Sequence, residues 1–504
     1  MTRHLWHSSD MEPVVATRYG QVRGRLSDGV MSFLGIPYAA SPTGELRFAA
    51  PLPPKPWTGV RDATAYGPTP PKPAYPAPFD IVLPEPEVPG DDWLNLNIWA
   101  PADNGGDRPV IVWIHGGAFA NGNCAIPMYD GTAFARDGVV FAAINYRLGA
   151  EGFALLPDAP ANRGLLDQIA ALEWVRDNIA AFGGDPANVT IAGESAGAMS
   201  AVTLMTMPAA RGLFSKVIAE SGSVQAAADP ADAALVTAEL GLALGEALSE
   251  NDVSAAGIAE LDTGTLIKAQ IQVRDALSAA PDPARFGPTI VASSMAFIPV
   301  IDGDTLPAHP LAAIAAGSGA DVPLLIGTNS EEFRFFLVPP GMIDAITPEL
   351  LGTVAAALGA TSEVVALYQA NRKGAKSGDV FSALLTDRFF RLPAIAVADA
   401  RSGGPAPTYF YEFAWGHPPI GAGHVMEIPF VFDNLSASDA VSLIGTNAPK
   451  DLAADMHAAW IAFARGSDPG WPAFDASRQV RVFDTGGGSV VLDPRGDERA
   501  IWPA

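Results

Sequence analysis

Two rhythms of apolar positions recur along the 504-residue chain. Continuous runs such as Val110-Ile111-Val112-Trp113-Ile114 and Val139-Val140-Phe141-Ala142-Ala143-Ile144 predict strands buried on both faces. Leu94-Asn95-Leu96-Asn97-Ile98-Trp99 alternates instead and predicts a half-buried strand. Between Asn162 and Phe182, Leu165, Ile169, Leu172, Val175 and Ile179 share one helical stripe, and Gly183-Gly184 ends the helix. Val189 to Ala192, Lys216 to Ala219, Pro323 to Gly327 and Tyr409 to Phe413 supply further strands, Tyr409 to Phe413 being the last strong one. Strand and helix alternating in this way predict an α/β fold, with one large, mostly parallel sheet and helices on both faces.

The flanks break the rhythm. Val14 to Thr17, Gln21 to Gly24 and Met31 to Tyr38 read as an antiparallel N-terminal meander. Residues 41–90 are Pro-rich and irregular, a surface loop placed to form a rim over a site. Residues 224–285 and 341–405 are alanine-rich and helical in pattern. They are expected to be helical insertions in a single domain spanning 13–504, with 1–12 a ragged tail. Asp451 to Arg465 reads as a helix with Leu452, Met456, Ala459, Trp460 and Phe463 on its apolar face.

Composition narrows the classes. With 31 basic against 55 acidic residues, the net charge of -24 disfavours nucleic acid and anionic membranes as partners. No apolar run reaches the length of a membrane span. Cys124 is the sole cysteine, so no intrachain disulfide can form and buried packing is its expected role. The N-terminus lacks an apolar core of the kind a secretory signal carries, and a cytoplasmic protein is the simplest expectation. The sequence leaves a monomer or a homodimer open. Metals and cofactors find no support: there is no cysteine cluster, no His-Glu-x-x-His and no phosphate loop, and Gly486-Gly487-Gly488 reads as a turn.

Candidate chemistry centres on Gly193-Glu194-Ser195-Ala196-Gly197, set between the strand Val189 to Ala192 and a helix-compatible run from Ala198 to Met205. Strand, sharp Gly-flanked turn and helix form the nucleophile elbow that lifts a serine hydroxyl clear of a sheet. A serine needs a base within hydrogen-bond reach, and the base needs an orienting acid. In this type of fold the chain order is Ser, acid, His. Glu331 and Glu332 follow the strand ending at Gly327, and either could be the acid. His417, His424 and His457 are the candidate bases; His457 lies on a regular helix, while His417 and His424 share one loop and the residues alone do not separate them. The Gly-rich turn His115-Gly116-Gly117-Ala118-Phe119 is placed to offer backbone donors to an oxyanion, as is Ala196. His115 precedes Ser195 and is expected to hold that turn structurally.

Together these pieces resemble the type-B carboxylesterase family of bacterial para-nitrobenzyl-type esterases and cholinesterases. The resemblance runs from about residue 13 to 474. It is carried by Phe33-Leu34-Gly35-Ile36-Pro37-Tyr38-Ala39, Leu46-Arg47-Phe48, Trp113 to Phe119, Asn145-Tyr146-Arg147-Leu148-Gly149, Phe182 to Pro186 and the elbow. It implies an α/β-hydrolase fold and the triad Ser195, Glu332 and His424. The acid follows by aligning Gly-x-x-x-Asp-Glu-Gly on Gly327, the base by matching Gly421-Ala422-Gly423-His424-Val425-Met426-Glu427-Ile428-Pro429-Phe430. The implied oxyanion donors are the N–H groups of Gly117, Ala118 and Ala196. Two departures stand out: Phe333 replaces the glycine after the acid, and Glu331 replaces the aspartate before it.

The implied activity is serine-dependent hydrolysis of small-molecule carboxylic esters through an acyl-enzyme, without cofactor. The same triad could serve carbamates or amides, and a noncatalytic binding module is the contrasting class. Glu194 is placed to add negative potential at the site or to act as a buried hydrogen-bond partner. Phe119, Phe333, Phe335 and Phe336 are placed either to line an apolar pocket or to be core.

Overall fold

Strands with buried, apolar sequences fix where the chemistry sits. The computed structural model describes residues 12–103, 105–248, 252–466 and 468–502. The tail expected over 1–12 falls outside them, Glu12 aside. The strands in chain order are β1 (Val14–Thr17), β2 (Gly20–Arg23), β3 (Arg25–Ser27), β4 (Val30–Pro37), β5 (Val60–Asp62), β6 (Asn95–Pro101) and β7 (Arg108–Ile114). They continue with β8 (Val140–Ile144), β9 (Gly184–Glu194), β10 (Lys216–Glu220), β11 (Leu324–Asn329), β12 (Thr408–Phe413), β13 (Gln479–Phe483) and β14 (Ser489–Leu492).

Eleven of them form one sheet in the order β14-β13-β12-β11-β10-β9-β7-β8-β6-β4-β3. The block from β13 to β8 is parallel, and β14, β6, β4 and β3 pair antiparallel at its two sides. Along β7, Val110, Val112 and Ile114 enter one core cluster, while Ile111 and Trp113 enter the other. This is the period-2 alternation of a strand covered on both faces. The helix Arg163–Asn178 packs Leu165, Ile169, Leu172 and Val175 into the first cluster. The helix Lys450–Ala464 packs Leu452, Met456, Trp460 and Phe463 into the second. The architecture is that of an α/β-hydrolase, and the expected helical stretches are helical: Pro230–Leu244 and Thr263–Ala279 in the first, Pro348–Ala357, Ser362–Asn371, Ser377–Thr386 and Leu392–Arg401 in the second. No helix among the described residues is long and apolar enough to cross a membrane.

Two expectations change. The N-terminal meander is split: β1 and β2 pair with β5 in a separate three-stranded sheet, and only β3 and β4 join the large one. Gly24 lies at the division, where a Cβ would come within 2.3 Å of the Ser32 carbonyl. The chain also adds two strands beyond Tyr409 to Phe413. In β13 only Val480 and Phe483 are buried, and β14 is exposed throughout, so neither carries the continuous apolar run of an interior strand. Gly486 to Gly488 form the turn between them.

Candidate active site

The parallel strands β9, β10 and β11 end side by side, with Glu194 level with Glu220 and Glu220 level with Gly327. The chain turns sharply at Ser195, whose φ of 54° and ψ of -122° lie outside the regions an ordinary L-residue prefers. Holding such a residue costs on the order of 1–3 kcal/mol. Packing enforces it: a Cβ on Gly197 would lie 1.9 Å from the Ile114 carbonyl oxygen, and one on Gly193 would lie 2.6 Å from the same atom. Glycines let the elbow helix, Ala196–Leu204, dock directly on β7. Ser195 donates its N–H to Glu220 O at 2.8 Å and is the half-exposed residue of a stretch otherwise buried from Thr190 to Met205.

Glu332 sits in the turn after β11 and is fully buried. Its Oε1 accepts the Asn329 N–H at 2.8 Å, and its Oε2 lies 2.7 Å from His424 Nδ1. The backbone N–H of His424 also donates to Glu332 O at 3.1 Å, so the turn after β11 and the loop after β12, 92 residues apart, are joined twice. His417 takes another direction, stacking on Trp415 and filling the space beside Gly445. His457 hydrogen-bonds Val431 O at 2.7 Å from its helix. Glu331 is exposed; its Oε2 accepts the Ala422 N–H at 3.0 Å and steadies the base loop from outside.

The Nε2 of His424 lies 3.0 Å from Glu194 Oε1. Among the described residues no side chain hydrogen-bonds the Ser195 hydroxyl; contacts of this kind are often loose in a resting site and tighten around substrate. Glu194 Oε2 also packs where a Cβ on Gly116 would be, at 2.7 Å. Behind the pair lie two more buried glutamates. Glu427 accepts from Asn329 Nδ2 at 2.5 Å and from Ser221 Oγ at 3.1 Å, and Glu220 Oε1 accepts from Trp460 Nε1 at 2.7 Å.

Four carboxylates and one imidazole in a buried space cannot all keep their ordinary titration. Burial, reinforced by Glu194 and Glu332, pushes Glu427 up to about 8. Burial and Glu427 push Glu220 well up. Burial raises Glu194 against the pull of His424. For His424 burial opposes the charge, but the carboxylates of Glu194 and Glu332 overcome it, and its pKa stands well above the usual imidazole value. Burial thus disfavours charge on the carboxyls behind, while the flanking carboxylates favour charge on His424.

The turn after β7 supplies donors. Gly117, Ala118 and Phe119 have φ of 113°, 53° and 58°, and Gly117 O accepts the N–H groups of Ala120 and Asn121 at 2.9 and 2.8 Å. The N–H groups of Gly117, Ala118 and Ala196 donate to no acceptor among the described residues. Of these residues Ala196 is buried, Gly117 half-buried and Ala118 exposed. His115 stacks on Tyr146 at 4.5 Å, and its Nδ1 donates to Gly116 O at 2.8 Å. Burial draws its pKa down to about 3, so it is a neutral prop for the turn.

Phe333 and Phe336 are half-exposed and in mutual contact, 5.2 Å between centroids. Phe336 also faces the His424 ring at 5.2 Å. Phe119, by contrast, is fully buried edge-on against Phe153 and serves as core, and Phe335 packs on Phe79. The aromatic wall is completed by Phe389 and Phe390, which pack on Phe333; Phe390 lies 4.8 Å from His424. These two sit on a π-helical turn, Asp387–Arg391, that nothing in the local pattern announces. Glu427 had a signal: a carboxylate in the apolar run Val425 to Phe430, three positions after the histidine. Among the described residues no group of His, Cys, Asp and Glu is placed to hold a metal.

The sequence model of the Carboxylesterase family matches residues 11–484. Para-nitrobenzyl esterase of Bacillus subtilis (strain 168) is 38% identical over 96% of this chain and 97% of that protein. Phenmedipham hydrolase of Pseudarthrobacter oxydans is 35% identical over 95% of this chain and 97% of its own. Among solved structures, a carboxylesterase of Geobacillus stearothermophilus superimposes with a TM-score of 0.84 at 36% identity, covering 97% of this chain and 100% of that one.

Proposed function

Because the chain belongs to the carboxylesterase family and is a carboxylesterase, we propose that Ser195 is its nucleophile, His424 its general base and Glu332 the acid that orients the base. The observation that carries the assignment is the 2.7 Å contact between His424 Nδ1 and Glu332 Oε2, with His424 Nε2 3.0 Å from Glu194, the residue before the strained elbow serine. Neutral His424 takes the proton as Ser195 Oγ attacks the ester carbonyl. Glu332 fixes the tautomer that leaves Nε2 free to accept, and stabilises the imidazolium that results. The N–H groups of Gly117, Ala118 and Ala196 receive the oxygen that becomes negative, a reading supported by their having no other acceptor among the described residues. The alcohol leaves with the proton from His424, and water repeats the sequence on the acyl-enzyme.

Phe333, Phe336, Phe389 and Phe390 favour an apolar group on the substrate beside His424. A lone buried thiol suits the reducing conditions of the cytoplasm, where we place the enzyme. The test is hydrolysis of a para-nitrophenyl ester. Ser195→Ala should lose at least about 10,000-fold in kcat, and fluorophosphonate labelling should disappear with it. Parent-level hydrolysis by Ser195→Ala would refute the assignment. A panel of esters, carbamates and amides with the parent protein then defines which acyl bonds it cleaves.

A further inference from the structure

The Pro-rich segment over residues 69–90 does more than rim the site. It hydrogen-bonds three consecutive residues on the outgoing limb of the oxyanion turn. Asn121 Nδ2 donates to Pro73 O at 2.7 Å, the Gly122 N–H donates to Glu85 Oε1, and Asn123 Nδ2 donates to Pro86 O at 3.1 Å. The middle contact differs in kind, because there a side-chain oxygen takes a backbone N–H, whereas in the other two a side-chain amide donates to a backbone oxygen.

Gly122 is also the point where force on the limb reaches the donors. A Cβ there would meet Gly116 O and His115 Nδ1 at 2.3 Å each, so Gly122 lies flush against the incoming limb. Its neighbour Asn121 is tied to Gly117 O at 2.8 Å. Gly122 cannot shift without moving Gly116 and Gly117, and with them the N–H of Ala118. Glu85 is half-buried, with Lys72 offsetting the cost of its charge. It stands in the wall between a cavity of about 540 Å³ beneath the Pro-rich segment and a small cleft that reaches Gly116, Gly117 and Glu194.

We propose that Glu85 is a positioning residue for ester hydrolysis: its carboxylate clamps Gly122 and thereby holds the Gly117 and Ala118 N–H groups on the transition-state oxyanion. The proposal rests on the oxyanion assignment above. It makes reach, not charge, the property that matters. Glu85→Gln keeps an acceptor oxygen at the same distance, whereas Glu85→Asp keeps the charge and withdraws the oxygen by one methylene.

The experiment compares these two variants with the parent on a para-nitrophenyl ester and against a trifluoromethyl ketone, whose hemiketal oxygen occupies the oxyanion position. Thermal unfolding of each variant checks that it is folded. Glu85→Asp should lose about 10- to 100-fold in kcat with KM within about twofold of the parent, since donors displaced by a fraction of an ångström act only on the transition state. Binding of the trifluoromethyl ketone should weaken by the same factor as kcat/KM. Glu85→Gln should remain within about threefold of the parent in both measurements. Parent-like kinetics for Glu85→Asp, an equal loss in Glu85→Gln, or a rise in KM at unchanged kcat would each overturn the proposal. Ser195→Ala run alongside separates the two readings: an active Ser195→Ala refutes the triad, while an inactive one beside a parent-like Glu85→Asp refutes the clamp alone.

Discussion

His424 sits between two carboxylates, and Glu194, beside Ser195, bears on its titration as well as Glu332. A general base works only unprotonated. With its pKa held well above the ordinary value, the resting enzyme keeps His424 charged until the pH rises through that raised value. The rate should therefore fall on the acid side, starting above the usual imidazole range. Glu194→Gln removes one source of the shift, so the acid limb of kcat/KM against pH should move to lower pH. An unmoved limb, or one moved upward, would show that Glu194 does not act through charge. At this scale the sequence was informative where chemistry leaves a local signature. A serine between glycines, a glycine-rich turn after an apolar strand and a carboxylate after another strand all mark themselves. It was silent on Phe389 and Phe390, and on Glu85, because a side chain in a loop carries no mark of what lies opposite.

The elbow is an element whose residues are dictated by close approach. Gly197→Ala would drive a methyl group to 1.9 Å from a backbone carbonyl that cannot move aside, and should cost about 2–3 kcal/mol in denaturant unfolding. Gly352 supplies the contrast. It lies inside the helix Pro348–Ala357 with nothing near its would-be Cβ, so Gly352→Ala should stabilise by about 0.5–1 kcal/mol. Destabilisation at both positions would mean that helix propensity and backbone approach are not the deciding effects. Interior strands were legible for a related reason: being covered on both faces, they must be apolar throughout. The edge strand β14, its neighbour β13, and the split between β2 and β3 were not legible. An edge strand can take almost any sequence, and which sheet a short strand joins depends on partners far along the chain.

Taken whole, the molecule is held together without covalent cross-links. Cys124 is free and buried, with Asn97 Nδ2 3.1 Å from its sulfur, and burial pushes its thiol up to about 12. A reducing agent should leave the thermal midpoint unchanged, and a disulfide reagent should react with the native protein only as fast as it unfolds. Rapid native labelling would contradict the burial. Strand and helix periodicity, the order of serine, acid turn and histidine loop, and the resemblance to the carboxylesterase family all follow from the sequence alone, since each is set by neighbours within a few residues or by recurring motifs. The residues by themselves left His417 and His424 equal, as they left Glu331 and Glu332; family resemblance preferred the second of each pair. Only the tertiary structure brings His424 Nδ1 to Glu332 across 92 residues, turns His417 toward Trp415, gathers four buried glutamates around one imidazole and lays the Pro-rich segment on the turn after β7. Those arrangements depend on which strands lie side by side and on how deeply each group is buried. Both are properties of the packed chain, and no local stretch of sequence encodes them.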